Sequence, residues 1–121
     1  MRLRNASTLR HPTYRHSLSR KYEQMVNPLE KNALENALHD LTDWKLSENN
    51  TKIIKSILFP DFISAFSFMT QVALMAEKMN HHPEWFNVYN RLDITLTTHD
   101  CKGISEKDIK LAHFINAMLK G

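Results

Sequence analysis

Glycine is nearly missing from this chain of 121 residues, which carries only Gly103 and Gly121. A Gly-rich loop that cradles phosphate by close backbone approach is thereby excluded. Cysteine is limited to Cys101. A lone thiol rules out an internal disulfide framework and fits a reducing compartment. Nothing beside Cys101 in the sequence argues for an activated thiolate. No apolar run reaches the roughly 18 residues that a membrane span needs. The stretch from Phe62 to Ala76 comes closest, and Ser64, Ser67, Thr70 and Gln71 interrupt it. Acidic residues are missing from the first 22 positions, which hold Arg2, Arg4, Arg10, Arg15, Arg20 and Lys21.

That acid-free start explains the formal net charge of +3. Setting its six basic residues aside leaves ten against thirteen acids from Glu23 onward, a balance of −3. A polyanion-binding surface needs clustered Lys and Arg, so no direct nucleic-acid binding is expected of the remainder. Residues 1–26 form a basic, Ser/Thr-rich extension with the composition of an organellar transit peptide. Pro12 and a poor amphipathic pattern favour a solvated tail instead. The expected location is cytoplasmic, or organellar (mitochondrial) if the segment is a transit peptide. Residues 27–121 have the length and ordinary apolar content of one globular domain.

From Asn27 the chain punctuates itself. Asn27 can cap a helix, with Pro28 at its first position and Glu30 at the third. Leu29, Ala33, Leu34, Ala37, Leu38 and Leu41 then recur at helical spacing. "DWKLSENNTKIIKSILF" reads as two strands joined near Asn49 and Asn50, the second running from about Lys52 to Phe59 and closed by Pro60. Asp61 can cap a long second helix. Its inner stripe is predicted at Phe62, Phe66, Met69, Ala73 and Ala76, widened by Phe68, Val72 and Met75. The helix should end near Asn80, because residue 82 precedes a proline. "WFNVYNRLDITLTTHD" gives a hairpin with its turn at Asn90-Arg91, and Leu92, Ile94 and Leu96 alternate with polar residues. Ser105 opens a third helix with Asp108 at its third position, close to the capping-box pattern, and Ile104 and Ile109 sit where a hydrophobic staple belongs. The predicted fold is α+β: a four-stranded antiparallel sheet with three helices packed on one face, in the order α-β-β-α-β-β-α.

The chemistry concentrates in "NHHPEWFNVYN", residues 80–90. His81 and His82 sit at a helix-to-strand turn before Pro83. A hairpin returns the end of its second strand to the start of its first, so His99 can approach them. Glu77, one helical turn earlier, and Asp108 are the candidate carboxylates. Imidazole gives or takes a proton near neutral pH, and nearby aromatics suit a planar substrate. Each residue also has a plainer reading: Trp85 and Phe86 as core, Asp108 as a helix N-terminal acid, Glu77 as a solvated helix residue. A zinc site is conceivable, but HExxH and paired-Cys spacings are lacking. These spacings by themselves leave acid–base site and ligand pocket both open.

The set Glu77, His81-His82-Pro83, Tyr89, His99 and Asp108 closely resembles the signature of the pterin-4a-carbinolamine dehydratases: an acid, three positions, His-His-Pro, an aromatic, a later His and a downstream Asp. The intervening "EWFNVYN" and the "THDC" and "GISE" segments are similar to the animal-type members. The resemblance covers about residues 28 to 119 and not the first 26.

That resemblance implies the same sheet-and-helix fold and a hydro-lyase activity. The reaction would be loss of water from a 4a-hydroxytetrahydropterin, giving a quinonoid dihydropterin in tetrahydrobiopterin recycling after aromatic amino acid hydroxylation. It needs no redox cofactor and no metal. It implies His81 and His99 as acid and base, His82 with Pro83 to orient the ring, and Glu77 and Asp108 to hold the imidazoles. Trp44 matches an aromatic position that the family places near the pterin, and the ring edge is expected near Thr98, His99, Asp100 and Cys101. Members form homodimers or homotetramers. Animal members also serve as dimerisation cofactors of a homeodomain transcription factor, so an interaction role is the alternative. Phe62, Phe66 and Met69 would carry it if they were exposed.

Overall fold

A computed structural model describes residues 26–121, so the basic segment up to residue 25 lies outside the described residues. Helix α1 spans Lys31–His39, and strands β1 (Lys45–Leu46) and β2 (Ile53–Leu58) follow. The long helix α2 covers Phe62–Met79. A hairpin of β3 (Glu84–Val88) and β4 (Arg91–Leu96) comes next, then a 3₁₀ turn at His99–Cys101 and helix α3 at Glu106–Lys120. The strands form one antiparallel sheet in the order β1-β2-β4-β3. This is the α+β architecture that the sequence predicts. No described helix is long and apolar enough to cross a membrane.

The alternation of β4 decides the layering. Leu92, Ile94 and Leu96 are buried against the helices, whereas Arg91, Asp93 and Thr95 turn to the open face. Ile53 from β2, Leu34, Leu41, Val72, Leu111 and Ile115 complete the core. Burying each such side chain is worth roughly 1.5–3 kcal/mol against leaving it in water. Lys55 lies on the same inner face of β2. Its ammonium donates to the Thr42 carbonyl at 3.1 Å, and burial lowers its pKa, partly offset by the nearby Asp43 charge.

Three sequence expectations shift. Helix α1 starts at Lys31 with Glu30 as its cap, later than Asn27–Pro28 suggests. The reason is tertiary: the Leu29 amide donates to the Ile104 carbonyl at 2.8 Å, which keeps the preceding residues out of the helix. The β3–β4 turn is Tyr89-Asn90, one residue earlier than predicted, since Val88 pairs with Arg91. Tyr89 adopts a φ of 51° there, a region few bulky residues occupy; the Asn87 side chain donates to the Tyr89 and Arg91 carbonyls and fixes the turn.

The third shift concerns α2. Its inner stripe is Ala65, Phe68, Val72 and Ala76, with Phe68 stacked obliquely on Phe59 at 5.2 Å. Phe62 and Phe66 point outward instead, as do Ile63 and Leu74. A helix apolar nearly all round carries no periodic signal strong enough to choose its own face. Its ends behave as predicted. Asp61 accepts from the Ser64 amide, and Asn80 closes the helix in the left-handed conformation.

Candidate active site

The closing turn of α2 sets the two histidines apart. Asn80 has a φ of 53°, and the His81 amide returns to the Ala76 carbonyl at 2.9 Å. The chain then enters β3 with Glu84 opposite Thr95. Continuing that register sets His82 across from Thr97 and His81 across from Thr98. Side chains alternate along a strand, so the two imidazoles leave on opposite faces of the sheet.

His81 goes inward. Its Nε2 lies 2.6 Å from Asp108 Oδ1, and the His81 ring is nearly buried while Asp108 is wholly so. The other carboxylate oxygen, Oδ2, accepts from Thr98 Oγ1 at 2.7 Å and from the Ser105 amide at 2.9 Å. Thr98 and Ser105 hydroxyls meet at 2.6 Å. Asp108 occupies the third position of α3, where the capping box is complete and the helix N-terminus favours negative charge. A buried carboxylate needs such partners to offset lost hydration.

His82 goes outward. Its Nε2 meets Glu77 Oε1 at 2.8 Å, with 58% of the His82 and 80% of the Glu77 side chain exposed. Glu77 and Asp108 therefore serve different histidines. His99 opens the 3₁₀ turn beyond β4, exposed, and borders a cleft of about 270 Å³ lined by Thr51, Lys52, Glu84, Thr97 and Lys102. The turn itself is tied by the Thr98 amide to the Gly103 carbonyl at 2.8 Å, and by the Cys101 amide to the Thr98 carbonyl at 3.2 Å. His99 is thus one residue from Thr98, which touches the carboxylate that holds His81.

Other expected site residues fall differently. Trp44 is buried in the core, and its indole N–H donates to Asn116 Oδ1 at 2.9 Å. Asn116 lies eight residues along α3 from Asp108, about 12 Å at the rise of an α-helix. The indole N–H of Trp44 is thus spent on α3. Thr98, expected against a ligand, is buried with its hydroxyl spent on Asp108. Asp100 is exposed beside His99, and Pro83 is half-buried at the strand entry. The Cys101 thiol shares its proton between the Thr98 and Gly103 carbonyls, at 3.6 and 3.7 Å. Burial raises its pKa, with the Gly103 contact opposing and Asp108 adding to the rise. Trp85 packs on the core, whereas Phe86 is exposed.

Ser105 is the residue that sequence reasoning passes over. It reads there only as a helix cap, although the capping box already implies that the Asp108 side chain returns to it. Lys102 carries no sequence signal at all: its left-handed φ of 56° turns it towards the cleft through the tertiary path of the loop.

The chain matches the family model described as Pterin 4 alpha carbinolamine dehydratase over residues 27–118. It is 50% identical over 96 residues to a Burkholderia pseudomallei (strain 1710b) protein, covering 79% of this chain and 95% of that one. A Rhizobium johnstonii protein is 55% identical over 84 residues, covering 69% and 83%. Both carry the name pterin-4-alpha-carbinolamine dehydratase as a provisional designation. A crystal structure of a transcriptional coactivator/pterin dehydratase from Brucella melitensis superposes with a TM-score of 0.73 at 48% identity, over 75% of this chain and 97% of that one. A pterin dehydratase-like protein described as a RuBisCO assembly factor in the alpha-carboxysome shares the fold, with a TM-score of 0.54 at 18% identity over 62% and 87%.

Proposed function

Because the chain belongs to the pterin-4a-carbinolamine dehydratase family, we propose that it dehydrates a 4a-hydroxytetrahydropterin to the quinonoid dihydropterin by histidine acid–base catalysis. The reaction balances simply. A proton reaches the 4a-hydroxyl, the C4a–O bond breaks, water leaves, and a proton departs from N5. Two proton-carrying groups on one ring are enough. The observation that carries the reading is the junction where β3 begins and β4 ends. Near it lie a buried His81–Asp108 pair and an exposed His82–Glu77 pair, with α2 and α3 supplying the carboxylates and His99 opening the turn after β4.

In this reading His81 and His99 move the protons and His82 orients the ring from the open face. Asp108 and Glu77 fix the first and third of these imidazoles in direction. The ring edge lies along His99, Asp100 and Cys101, whose loop borders the same junction. The substrate belongs to tetrahydrobiopterin recycling after aromatic amino acid hydroxylation. The test follows decay of a 4a-hydroxytetrahydropterin with purified protein. Acceleration over buffer is expected, and the double variant His81→Ala, His99→Ala should return to the buffer rate. A wild-type rate equal to buffer, or a fully active double variant, overturns it.

A second reading rests on α2. Ile63 and Leu74 are 75% and 69% exposed, and Phe62 and Phe66 form an aromatic pair 5.7 Å apart on the same outer side. An apolar helix face of this kind suits contact with further copies of the chain, as a homodimer or homotetramer, or with another protein. The coactivator designation of the Brucella melitensis protein favours such a role. Light scattering decides it: Phe66→Glu should lower the solution mass, and a wild-type protein that runs as a monomer counts against the reading.

A further inference from the structure

The proton positions around Asp108 follow from counting. Oδ2 faces two donors, the Ser105 amide and the Thr98 hydroxyl. A hydroxyl has one proton, so the Thr98 proton is spent there. The 2.6 Å contact between the Thr98 and Ser105 hydroxyls must then be donated by Ser105. Ser105 Oγ in turn accepts from the Lys107 amide at 3.2 Å. The chain of donors runs one way, from the first turn of α3 through Ser105 and Thr98 to the carboxylate. With Oδ2 filled, Oδ1 is the acceptor that remains, and what faces it is His81 Nε2 at 2.6 Å.

We propose that Thr98 and Ser105 are positioning residues for His81: through Asp108 they hold the imidazole proton on Nε2 and leave Nδ1 as the atom that exchanges a proton with substrate. This deepens the dehydratase reading and rests on it. A neutral imidazole has one donor and one acceptor nitrogen. If Nε2–H is committed to Asp108 in both charge states, every proton that His81 gives or takes passes through Nδ1. Were Oδ2 short of a donor, Asp108 could share the proton of Nε2 and the ring could turn over. Two hydroxyls whose capping role needs only one of them are explained by this demand. Ser105 caps the helix by accepting from the Lys107 amide, and Thr98 lies seven residues away with no place in the cap.

The test combines the ¹⁵N spectrum of the histidine side chains with kinetics. In the wild type, neutral His81 should carry its proton on Nε2. Thr98→Val keeps shape and removes the donor. It should lower kcat roughly tenfold, part of the 10²–10⁴ typical of general acid–base catalysis, with KM little changed. Thr98→Ser should restore kcat to within about twofold, and Ser105→Gly, which leaves Thr98 without its donor, should fall between. Circular dichroism melts show which variants remain folded, and Thr98→Ser keeps the comparison open if Thr98→Val does not. A neutral His81 protonated on Nδ1, or a folded Thr98→Val with wild-type kcat, overturns the proposal. The tautomer needs no activity to be read, so an inactive protein sinks the dehydratase reading while the spectrum still decides this one.

Discussion

On the helix side of the β3–β4 hairpin, His81 meets Asp108 at 2.6 Å; on the open side, His82 meets Glu77 at 2.8 Å. The distances nearly coincide, yet the two contacts differ in kind. Asp108 has no exposed surface and three polar partners on its carboxylate, whereas Glu77 keeps four-fifths of its side chain in water. Water screens the outer pair, and holding two mobile side chains together costs entropy, so it contributes little. The inner pair has no water to fall back on if either partner is lost. Burial, not distance, separates the fixed imidazole from the mobile one.

Removing the two carboxylates tests this contrast most severely. Asp108→Ala should destabilise the fold by about 3–5 kcal/mol, because His81, Thr98 and the Ser105 amide lose their common acceptor. Glu77→Ala should cost under ~1 kcal/mol. Urea titration measures both, and equal losses would break the comparison. In catalysis, His81→Ala should reduce kcat by roughly 10²–10⁴, while His82→Ala should act mainly by raising KM. Steady-state kinetics with the 4a-hydroxypterin separates the two.

A smaller effect is expected at Cys101, which is half-buried in the turn after β4. Burial raises its thiol pKa, so at neutral pH the folded protein holds less thiolate than the unfolded chain. Its reaction with an aromatic disulfide reagent should be slower folded than in denaturant. Equal rates would mean that the thiol is not shielded.

The smallest effect belongs to the open face. Hydrogen bonds from Ser56 and Arg91 lower the Asp93 pKa against a slight opposing effect of burial. Stability from that shift is fully present above the unfolded value of about 3.9 and is lost as pH falls through the lower folded value. Asp93→Asn should therefore melt slightly earlier than wild type at neutral pH and lose less on acidification below about pH 4. Parallel melting curves at both pH values would show that Asp93 contributes no such linkage.

Legibility in the sequence follows the strength of local signals. The α3 cap is fully written in Ser105, Asp108, Ile104 and Ile109, because its bonds close within a few residues. The alternation of β4 names its buried face correctly for the same reason. The inner face of α2 is not legible, since Phe62, Phe66, Phe68 and Val72 are all apolar and only the sheet beneath selects among them. The start of α1 depends on a bond from Leu29 to Ile104, 75 residues away, that no local pattern announces. The bond from the Trp44 indole to Asn116, 72 residues away, is likewise written in no local pattern.

By itself the sequence determined the order of elements and the caps of the two later helices, and it offered Glu77, His81, His82, His99 and Asp108 as candidates. Those depend on periodicity, turn chemistry and residue type, which are properties of short segments. Only the tertiary structure decided which carboxylate holds which histidine, that Thr98 and Ser105 stand behind Asp108, and that α2 leaves aromatic rings in solvent. Those depend on which groups lose their water together, and that is settled when the hairpin, the loop after it and α3 close on one another.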